Sequence, residues 1–503
     1  MSGKIFVSGP KIGESRSKII WLFLILILSS LPFLTFSFPP STDLPQHVSQ
    51  IRLFLEAIKN MDGPYAIQWV APNNLIYAFL GMAWALFRPE IVGRIVLWFI
   101  TLAWIVSIYC LAARRERSRE AGVLACLLLF NHAFYWGFLN FLIGWPIFVL
   151  WFLLTIKNKQ NSLRLGSFLF SLMIAFLLYE SHALWFAVGF IWLVIISLIE
   201  RISLRIFIFR FASLLPIVLI SAIWYPSLST FRETAGFDVA PHWYTSPFAR
   251  LNPSWLLNSA LGGIQGLAET VIFCFLIGWI LLGVWENRKQ LKGVIDWKML
   301  TVAGLFLAIA FLAPDKYMNT ICFSSRWFPC GVIFLILALP VPLTKTSLRR
   351  FVSLALFAGF IVTTFLAWNN FEKIELSGLK DALDKIPNSS HVIGLDFVKQ
   401  SEFIKGRPFL QIYSYSQVLK GGELNFSFAE HSSGIVTYKS PRQIQWTRGL
   451  AWFAEHIKKS DLRYFDYALI NGKEEVHKTF SSFKELSQIN PTGRWRLYRI
   501  RKE

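Results

Sequence analysis

The sequence contains few charged residues for its length. Only 16% of its 503 residues are Asp, Glu, Lys or Arg, whereas 54% are hydrophobic and the mean hydropathy is +0.49. A soluble globular protein carries about 25% charged residues, so this chain lacks the polar surface that would cover a water-soluble body of its size. The composition excludes a soluble enzyme, a disordered regulator and a small secreted domain held by disulfides.

Cysteine is also scarce, while aromatic residues are abundant. The five cysteines mostly lie in apolar runs and show no Cys-x-x-Cys spacing, which argues against a zinc site and against a disulfide framework. Many of the 21 Trp and 47 Phe are predicted to form interfacial belts and lipid-facing surface, and they are not interpreted as a platform on which sugars or bases stack.

Long apolar runs fill the first three quarters of the chain. A bilayer core about 30 Å thick requires roughly 17–25 apolar residues per helix. The first run, Ile19 to Phe38, follows several basic residues and lacks a cleavage site of small residues, so an uncleaved membrane helix is predicted. Further spans are predicted at 91–113, 121–137, 139–156, 165–179, 183–200, 207–226, 268–285, 299–313, 328–343 and 351–368.

The positions of Lys and Arg orient these spans. The run 75–87 has only thirteen residues; if it stays at the outer surface, the N-terminus and every basic connector fall on the cytoplasmic side. Those connectors are 114–120, 157–164, 201–210, 288–298 and 345–350. The net charge of +20 therefore indicates orientation and contact with anionic lipid, and a nucleic-acid partner is not expected.

The predicted spans imply a mainly α fold. We predict a polytopic transmembrane bundle of about 11 spans over residues 19–368, with twelve as the alternative. The segment 1–18 is predicted to be cytoplasmic, and 39–90 to be a long outer loop. The predicted location is the plasma (inner) membrane.

The composition changes from Asn370 to that of an ordinary soluble domain. Alternation and apolar spacing predict strands and helices there. The strands are His391–Asp396, Tyr464–Ile470 and Gly493–Ile500, and the helices are Ile374–Ile386 and Trp446–Lys459. We therefore expect an extracytoplasmic α/β domain over 369–503, and binding or capping as its role because it shows no catalytic motif.

Uncommon polar residues collect at the outer ends of the spans. Ionisable groups beside lipid are costly and usually face a cavity or a site, and we expect Asp43, Glu180, His182 and Arg326 to line one outer cavity. Asp43 is the candidate catalytic residue. The candidate substrate-binding residues are His47, His132, Asn140, Glu180, His182, Lys316 and Arg326.

Asp43 begins an amphipathic stretch that runs to Asn60, with His47 one helical turn later. Its carboxylate can act as a general base that takes a proton from an attacking hydroxyl. The alternative is an N-cap, with Pro45 in the first turn, and the two roles do not exclude each other. His47 is expected to position substrate or Asp43 rather than to bind metal.

The other candidates also have structural alternatives. Glu180 and His182 lie in a turn between two spans, where neither residue type is needed for turning; a solvated turn is the alternative. Arg326 can clamp a phosphate through its fork of donors or extend to the interface beside a tryptophan. His132 and Asn140 can bind substrate or bridge two helices.

The layout resembles the GT-C superfamily of polytopic membrane glycosyltransferases. The matching features are a first helix with a cytoplasmic N-terminus, a long first outer loop that opens with Asp43, many further spans and an outer C-terminal domain. The segment Pro72–Arg94 (PNNLIYAFLGMAWALFRPEIVGR) resembles the juxtamembrane stretch of that family.

The resemblance implies a donor sugar carried on a polyprenyl phosphate. It makes Asp43 the catalytic base or a metal ligand, and it makes Lys316 or Arg326 the partner of the lipid phosphate. Many members carry a paired acidic motif in the first loop, whereas the ionisable neighbour of Asp43 here is His47. A divalent metal is therefore left open as a cofactor.

An integral membrane glycosyltransferase is the resulting prediction. It would transfer a hexosyl or pentosyl group from a polyprenyl-phosphate donor to a glycan, lipid or protein acceptor on the outer face. A transporter or flippase is the first alternative, although such proteins usually show paired repeats and charges near the bilayer midplane, and neither is evident here. A non-catalytic protein of envelope assembly is the second.

Overall fold

The computed structural model describes residues 12–69, 71–157, 165–430 and 434–502. Most of these residues are helical. The helices are α1 (Ile12–Thr35), α2 (Leu44–Lys59), α3 (Leu75–Leu86), α4 (Pro89–Arg114), α5 (Arg119–Cys126), α6 (His132–Trp136), α7 (Leu139–Lys157), α8 (Leu165–Ser181), α9 (Ala183–Ile199), α10 (Leu204–Ala212), α11 (Leu215–Thr234), α12 (Pro253–Ala260), α13 (Ala268–Glu286), α14 (Leu291–Val294), α15 (Trp297–Leu312), α16 (Phe328–Ala338), α17 (Thr346–Asn370), α18 (Leu379–Lys385), α19 (Tyr415–Lys420), α20 (Lys459–Leu462) and α21 (Glu474–Ser481). The strands are β1 (Tyr65–Ile67), β2 (Val392–Asp396), β3 (Val436–Tyr438), β4 (Tyr467–Asn471), β5 (Leu486–Gln488) and β6 (Trp495–Ile500).

Helices from the apolar runs form one bundle. Within the described residues, α4, α7, α13 and α17 are each long and apolar enough to cross a membrane, and α10 and α11 together form a further candidate that is bent by 50°. Shorter apolar helices include α3, α8, α9, α15 and much of α1. A mainly helical membrane-protein fold is therefore supported, while the number of spans stays a prediction.

A glycine allows α7 and α9 to pack closely in this bundle. A Cβ atom at Gly144 would lie 2.0 Å from Cδ1 of Trp185, so only glycine leaves room for the indole against α7. The Trp185 Nε1 group donates a 2.7 Å hydrogen bond to the Phe141 carbonyl. His182 precedes the first residue of α9, so this contact also fixes where His182 lies.

Among the described residues, the basic connectors 114–120, 288–298 and 345–350 are joined at one end of the bundle, together with Glu200 at the end of α9. Arg117 donates hydrogen bonds to the carbonyls of Leu337 and Ala338. Three ion pairs with N–O distances of 2.6, 2.6 and 3.2 Å join Arg115 to Asp296, Lys298 to Glu200 and Arg350 to Glu120. The predicted segments 1–18 and 157–164 fall largely outside the described residues. We refer to this end as the Arg117 end.

The opposite end brings together the termini of α1, α4 and α17, and we refer to it as the Asp43 end. Arg94 Nη1 donates a 3.1 Å hydrogen bond to the Phe36 carbonyl. Glu372 Oε2 accepts hydrogen bonds from the backbone N–H groups of Ser37 and Phe38 at 2.7 and 3.0 Å. The bundle thus separates its basic connectors from the ends that carry the candidate residues.

The ambiguous segment 75–87 forms α3, and both of its ends lie at the Asp43 end. Near its start, the Tyr77 hydroxyl is 3.0 Å from His47 Nδ1 in α2. It is followed at once by α4, where a Cβ at Gly93 would lie 2.9 Å from Val48 Cγ2, also in α2. Helix α3 therefore does not run to the Arg117 end, which agrees with the predicted outer location of 75–87.

The predicted span 121–137 is not one continuous helix. Helix α5 ends at Cys126, a short 3₁₀ segment follows, and α6 begins only at His132. The break has a local cause, because Asn131 Oδ1 caps α6 by accepting hydrogen bonds from Ala133 N and Phe134 N at 2.9 and 3.2 Å. Gly137, with φ of +78°, then ends α6 in the left-handed conformation.

The C-terminal region contains a four-stranded sheet in the order β2-β4-β6-β5. Strands β2 and β4 are parallel, and the other pairs are antiparallel. The three strands predicted there are confirmed as β2, β4 and β6, with boundaries shifted by up to three residues. The predicted helix Ile374–Ile386 is shorter, because Gly378 adopts φ of +82° and α18 starts after it.

The predicted helix Trp446–Lys459 is wrong. The stretch forms turns and a 3₁₀ segment at Ala454–His456, and α20 begins at Lys459. Gly449 has φ of +79°, and Asp461 Oδ1 accepts a 3.0 Å hydrogen bond from the Thr447 backbone. These contacts replace the hydrogen bonds within a helix that the apolar spacing suggested.

The C-terminal region is attached to the first loop by hydrogen bonds. Strand β1 pairs antiparallel with β3. Gln46 in α2 donates to Ser414 Oγ at 2.8 Å and accepts from the Phe428 backbone at 3.0 Å. Gln50 Oε1 accepts from the Val436 backbone at 2.9 Å. Helix α2 is therefore held between the bundle and the C-terminal region, with Asp43 at its start.

Candidate functional site

A cavity of about 1530 Å³ opens at the Asp43 end. Three parts of the chain supply its walls: the first loop, the ends of the bundle helices with their connecting loops, and the C-terminal region. The predicted site residues that line it are Asp43, His47, Asn140, His182, Lys316 and Arg326. Of the four residues expected to share one cavity, Asp43, His182 and Arg326 line it, whereas Glu180 does not.

Asp43 occupies the N-cap position of α2, but its carboxylate does not cap the helix. Its backbone N–H donates to the Trp136 carbonyl at 3.0 Å, and Pro45 lies in the first turn. No hydrogen bond joins the carboxylate to any of the described residues. The capping role therefore does not explain the aspartate, and its side chain is available to a ligand in the cavity.

The surroundings of Asp43 disfavour its charged form. Burial raises the pKa of the Asp43 carboxyl to about 8, and the positive charge of Arg326 opposes this rise. A carboxylate with a raised pKa is a stronger base once it has lost its proton. Asp43 and Arg326 are therefore close enough inside the cavity for each charge to affect the other.

His47 lies one turn after Asp43 and is neutral at physiological pH. Burial lowers its pKa to about 3. Its ring packs edge-on against Phe428, with 5.3 Å between centroids, and its Nδ1 contacts the Tyr77 hydroxyl. Asn140 also lines the cavity, and its buried Oδ1 has no hydrogen-bond partner among the described residues.

Arg326 is buried in the cavity wall with only 2% of its surface exposed. Its Nε donates to the Cys322 carbonyl at 3.0 Å, and its guanidinium lies 4.4 Å from the ring centroid of Phe138. No carboxylate of the described residues lies within ion-pair distance. A buried charge without a counter-charge is costly, so this arginine is suited to an anion that binds in the cavity.

Arg232 also lines the cavity, and sequence analysis did not include it among the candidates. It lies in the last turn of α11 and is 6% exposed. It donates to the Met318 carbonyl, while its Nε is buried without a partner among the described residues. Lys316 lines the same cavity but donates to Asp238 at 3.3 Å, so its charge is partly neutralised.

The remaining candidates differ in where their side chains lie. His182 lines the cavity as the N-cap of α9, its Nδ1 accepts from Leu184 N at 3.2 Å, and burial lowers its pKa to about 3. Glu180, also in the described part of the chain, is not among the lining residues. His132 contacts the Ser259 carbonyl in α12 and Ser325 Oγ in a 3₁₀ segment, and it lines a separate cavity of about 700 Å³.

The cavity continues as an apolar groove between α9 and α11. Val218 and Ile191 are 37% and 42% exposed, so the groove opens at the surface of the bundle. Its apolar lining residues are Leu184, Phe186, Ala187, Phe190, Ile191, Val218, Ala222 and Leu228. Unpaired cationic side chains at one end and an apolar groove at the other match a ligand with an anionic head and a hydrocarbon tail.

The C-terminal region supplies the opposite wall. Arg442 stacks over Trp446 at 4.7 Å and is held by Glu423 at 2.7 Å. Trp452 stacks with Trp136, with 6.4 Å between centroids. Sequence analysis assigned many aromatic residues to lipid-facing belts and did not select these side chains. Trp446 and Trp452 lie in the stretch whose predicted helix does not form. Their aromatic character in a polar segment was the available signal.

Metal ligands are not gathered around Asp43. Within the described residues, no group of three or more His, Cys, Asp or Glu side chains is arranged to hold a metal ion. The imidazole of His47 is engaged with Tyr77. The described side chains do not complete a protein ligand set, and we derive no step through a metal.

The fold has a counterpart among solved structures. It is similar to the crystal structure of ArnT from Cupriavidus metallidurans bound to undecaprenyl phosphate, with a TM-score of 0.53 and 12% sequence identity over 97% of this chain and 98% of that chain. No family model and no curated protein matches the sequence. The similarity supports the GT-C fold that the sequence led us to expect; at this identity it establishes the fold alone.

Proposed function

We propose that this chain is an integral membrane glycosyltransferase that uses a polyprenyl-phosphate-linked sugar as its donor. One observation carries the proposal. The Asp43 carboxylate, which does not cap α2, and the buried Arg326 guanidinium, which donates to backbone carbonyls and has no carboxylate partner among the described residues, line one cavity that continues into an apolar groove. The undecaprenyl phosphate bound to ArnT, which has a similar fold, is a lipid of this chemical class.

The two ends of the donor fit the two ends of the cavity. The polyprenyl chain would lie in the groove between α9 and α11, and the phosphate would lie beside Arg326 and Arg232. Charge-assisted hydrogen bonds from arginine to phosphate are roughly twice as strong as neutral ones. Binding would also give each buried guanidinium the counter-charge that it lacks.

The transfer follows from this placement. The bond between the anomeric carbon and the phosphate oxygen breaks, and its electron pair stays on the phosphate, where the arginines stabilise the charge. The acceptor hydroxyl oxygen forms the new bond to the anomeric carbon, and its proton passes to Asp43. The products are the glycosylated acceptor and a polyprenyl phosphate.

The reaction is proposed to occur at the outer face of the plasma (inner) membrane. The support is the separation of the two ends: the basic connectors lie at the Arg117 end, and the cavity lies at the other. By the positive-inside rule the Arg117 end is cytoplasmic. The acceptor would be a glycan, lipid or protein, and the C-terminal region would be extracytoplasmic.

An Asp43→Asn variant tests the proposal. The amide keeps the size of the side chain but cannot accept the proton, and loss of a general base typically lowers the rate by about 10²–10⁴-fold. Transfer is measured in proteoliposomes from a panel of radiolabelled polyprenyl-phosphate hexoses and pentoses to envelope extract. Asp62→Asn, at an exposed position of the same loop, is the matched control.

The outcomes of this assay separate the role of Asp43 from the proposed activity of the protein. Loss of transfer in Asp43→Asn with full transfer in Asp62→Asn supports the proposal. Full transfer in Asp43→Asn rejects Asp43 as the base. Binding of polyprenyl phosphate by the wild-type protein with no transfer from any donor points instead to a flippase, a transporter or a non-catalytic envelope protein.

A further inference from the structure

The cavity of about 700 Å³ that His132 lines has a different chemistry from the donor cavity. It lies between α12, the Ser325 segment and residues 400–406 of the C-terminal region. Amide, hydroxyl and indole side chains dominate its walls, among them Trp136, Trp255, Asn252, Asn258, Gln265 and Gln400. Hydroxyl groups of Ser254, Ser259, Ser325 and Ser401 add to this polar lining.

The charges in this second cavity are neutralised. Lys405 is the one Lys or Arg among its described lining residues, and its Nζ is 2.8 Å from Glu269 Oε2 and 3.1 Å from Asn258 Oδ1. Glu269 is fully buried and also accepts hydrogen bonds from the backbone N–H groups of Gly263 and Ile264 at 2.7 Å. Unlike the donor cavity, this one offers no unpaired cation to an anionic ligand.

Amides, hydroxyls and aromatic faces without net charge suit a neutral, hydroxyl-rich ligand. Asn and Gln side chains each offer both donors and an acceptor, which matches hydroxyl groups that do the same. Indole faces are apolar and polarisable, and the C–H faces of sugar rings pack on them. A few convergent polar groups of this kind fix the orientation of a ligand in a site.

The second cavity adjoins the donor cavity. Trp136 lines both, and its carbonyl accepts the 3.0 Å hydrogen bond from the Asp43 backbone. Ser325 lines the second cavity, while the next residue, Arg326, lines the first. The two cavities therefore share a wall at Trp136, and the backbone of that residue holds the backbone of Asp43.

We propose that the second cavity binds an uncharged saccharide, which is the acceptor of the transfer. The role as acceptor rests on the proposed function, whereas saccharide binding does not. One hydroxyl of the saccharide would reach past Trp136 toward Asp43, and the rest of the glycan would lie on the amide-rich rim.

Saccharide binding is tested by saturation-transfer NMR on the full chain in lipid nanodiscs. The probes are two neutral trisaccharides, maltotriose and mannotriose, with tri-galacturonate as the acidic comparison. Ser254→Trp and Gln400→Trp fill the cavity from two sides at exposed positions. Asn388→Trp, at an exposed position that lines neither cavity, controls for the added indole.

We expect a neutral trisaccharide to bind the wild-type protein and Asn388→Trp alike, and to bind each cavity-filling variant at least tenfold more weakly. Retained binding of polyprenyl phosphate shows that the variants are folded. Preference for tri-galacturonate, no binding of either neutral probe, or undiminished binding to both cavity-filling variants overturns the inference.

The two proposals can fail separately. If wild-type protein and Asp43→Asn both bind the trisaccharide but no donor supports transfer, the saccharide site stands and the glycosyltransferase does not. If transfer occurs and the cavity-filling variants transfer as well as Asn388→Trp, the acceptor lies elsewhere and only the further inference fails.

Discussion

The pH dependence of transfer follows from the surroundings of Asp43. A general base works only when ionised, and burial raises the pKa of Asp43 to about 8. As the pH falls below that value, kcat/KM should fall by about tenfold per unit. At about pH 7, a group with this pKa is ionised in about 9% of the molecules, so the rate should be about a tenth of its alkaline plateau.

Arg326 supplies an internal check of this reasoning. Its positive charge lowers the pKa of Asp43, so Arg326→Gln should move the acidic limb of the profile to higher pH. The measurement is kcat/KM in proteoliposomes at pH values on both sides of the limb, with the donor that supports transfer. A limb near the ordinary pKa of an aspartate, a rate independent of pH, or a limb that stays in place in Arg326→Gln would refute the reasoning.

Two further predictions concern binding and packing. Arg326→Gln should weaken polyprenyl phosphate binding by about tenfold or more, because a hydrogen bond to a charged group contributes about 1.5–3 kcal/mol; native mass spectrometry measures this, and unchanged binding would contradict the phosphate site. Exposed Arg88→Gln is its control. Gly144→Ala should destabilise the bundle by about 1–3 kcal/mol, because its Cβ would lie 2.0 Å from Trp185 Cδ1. Thermal unfolding in detergent tests it against Gly166→Ala, whose Cβ meets nothing within 4 Å; equal melting temperatures would refute the packing argument.

The sequence was most informative about which connectors of the bundle lie at the same end. The bilayer forces each connector to one of two sides, so the polar residues of distant loops could be assigned to a common end from the positions of Lys and Arg. Asp43, His182 and Arg326 were placed together in this way, and they line one cavity. The long apolar runs supported the helical fold, because a helix satisfies all of its backbone hydrogen bonds within one segment.

The sequence was less informative where local contacts outweigh periodicity. Nothing in the apolar pattern of 121–137 shows that Asn131 will cap a new helix there, or that Asp461 will hold the backbone of Thr447. The position of a residue around a helix is also hidden, which is why Glu180 was included and Arg232 was missed. Successive side chains of a helix differ by about 100° in direction, so a shift of a single residue decides whether a side chain faces a cavity.

The attachment of helix α2 to the C-terminal region has a consequence for biosynthesis. Gln46 and Gln50 find their partners in Ser414, Phe428 and Val436, which leave the ribosome more than 360 residues after them. The loop that carries the proposed base is therefore among the first parts to be made and among the last to be fixed in place. A chain that ends after α17 contains every apolar helix of the bundle, yet it lacks the partners of Gln46 and Gln50 that hold α2 from the other side. Assembly of the cavity wall that includes α2 is thus coupled to synthesis of the C-terminal region.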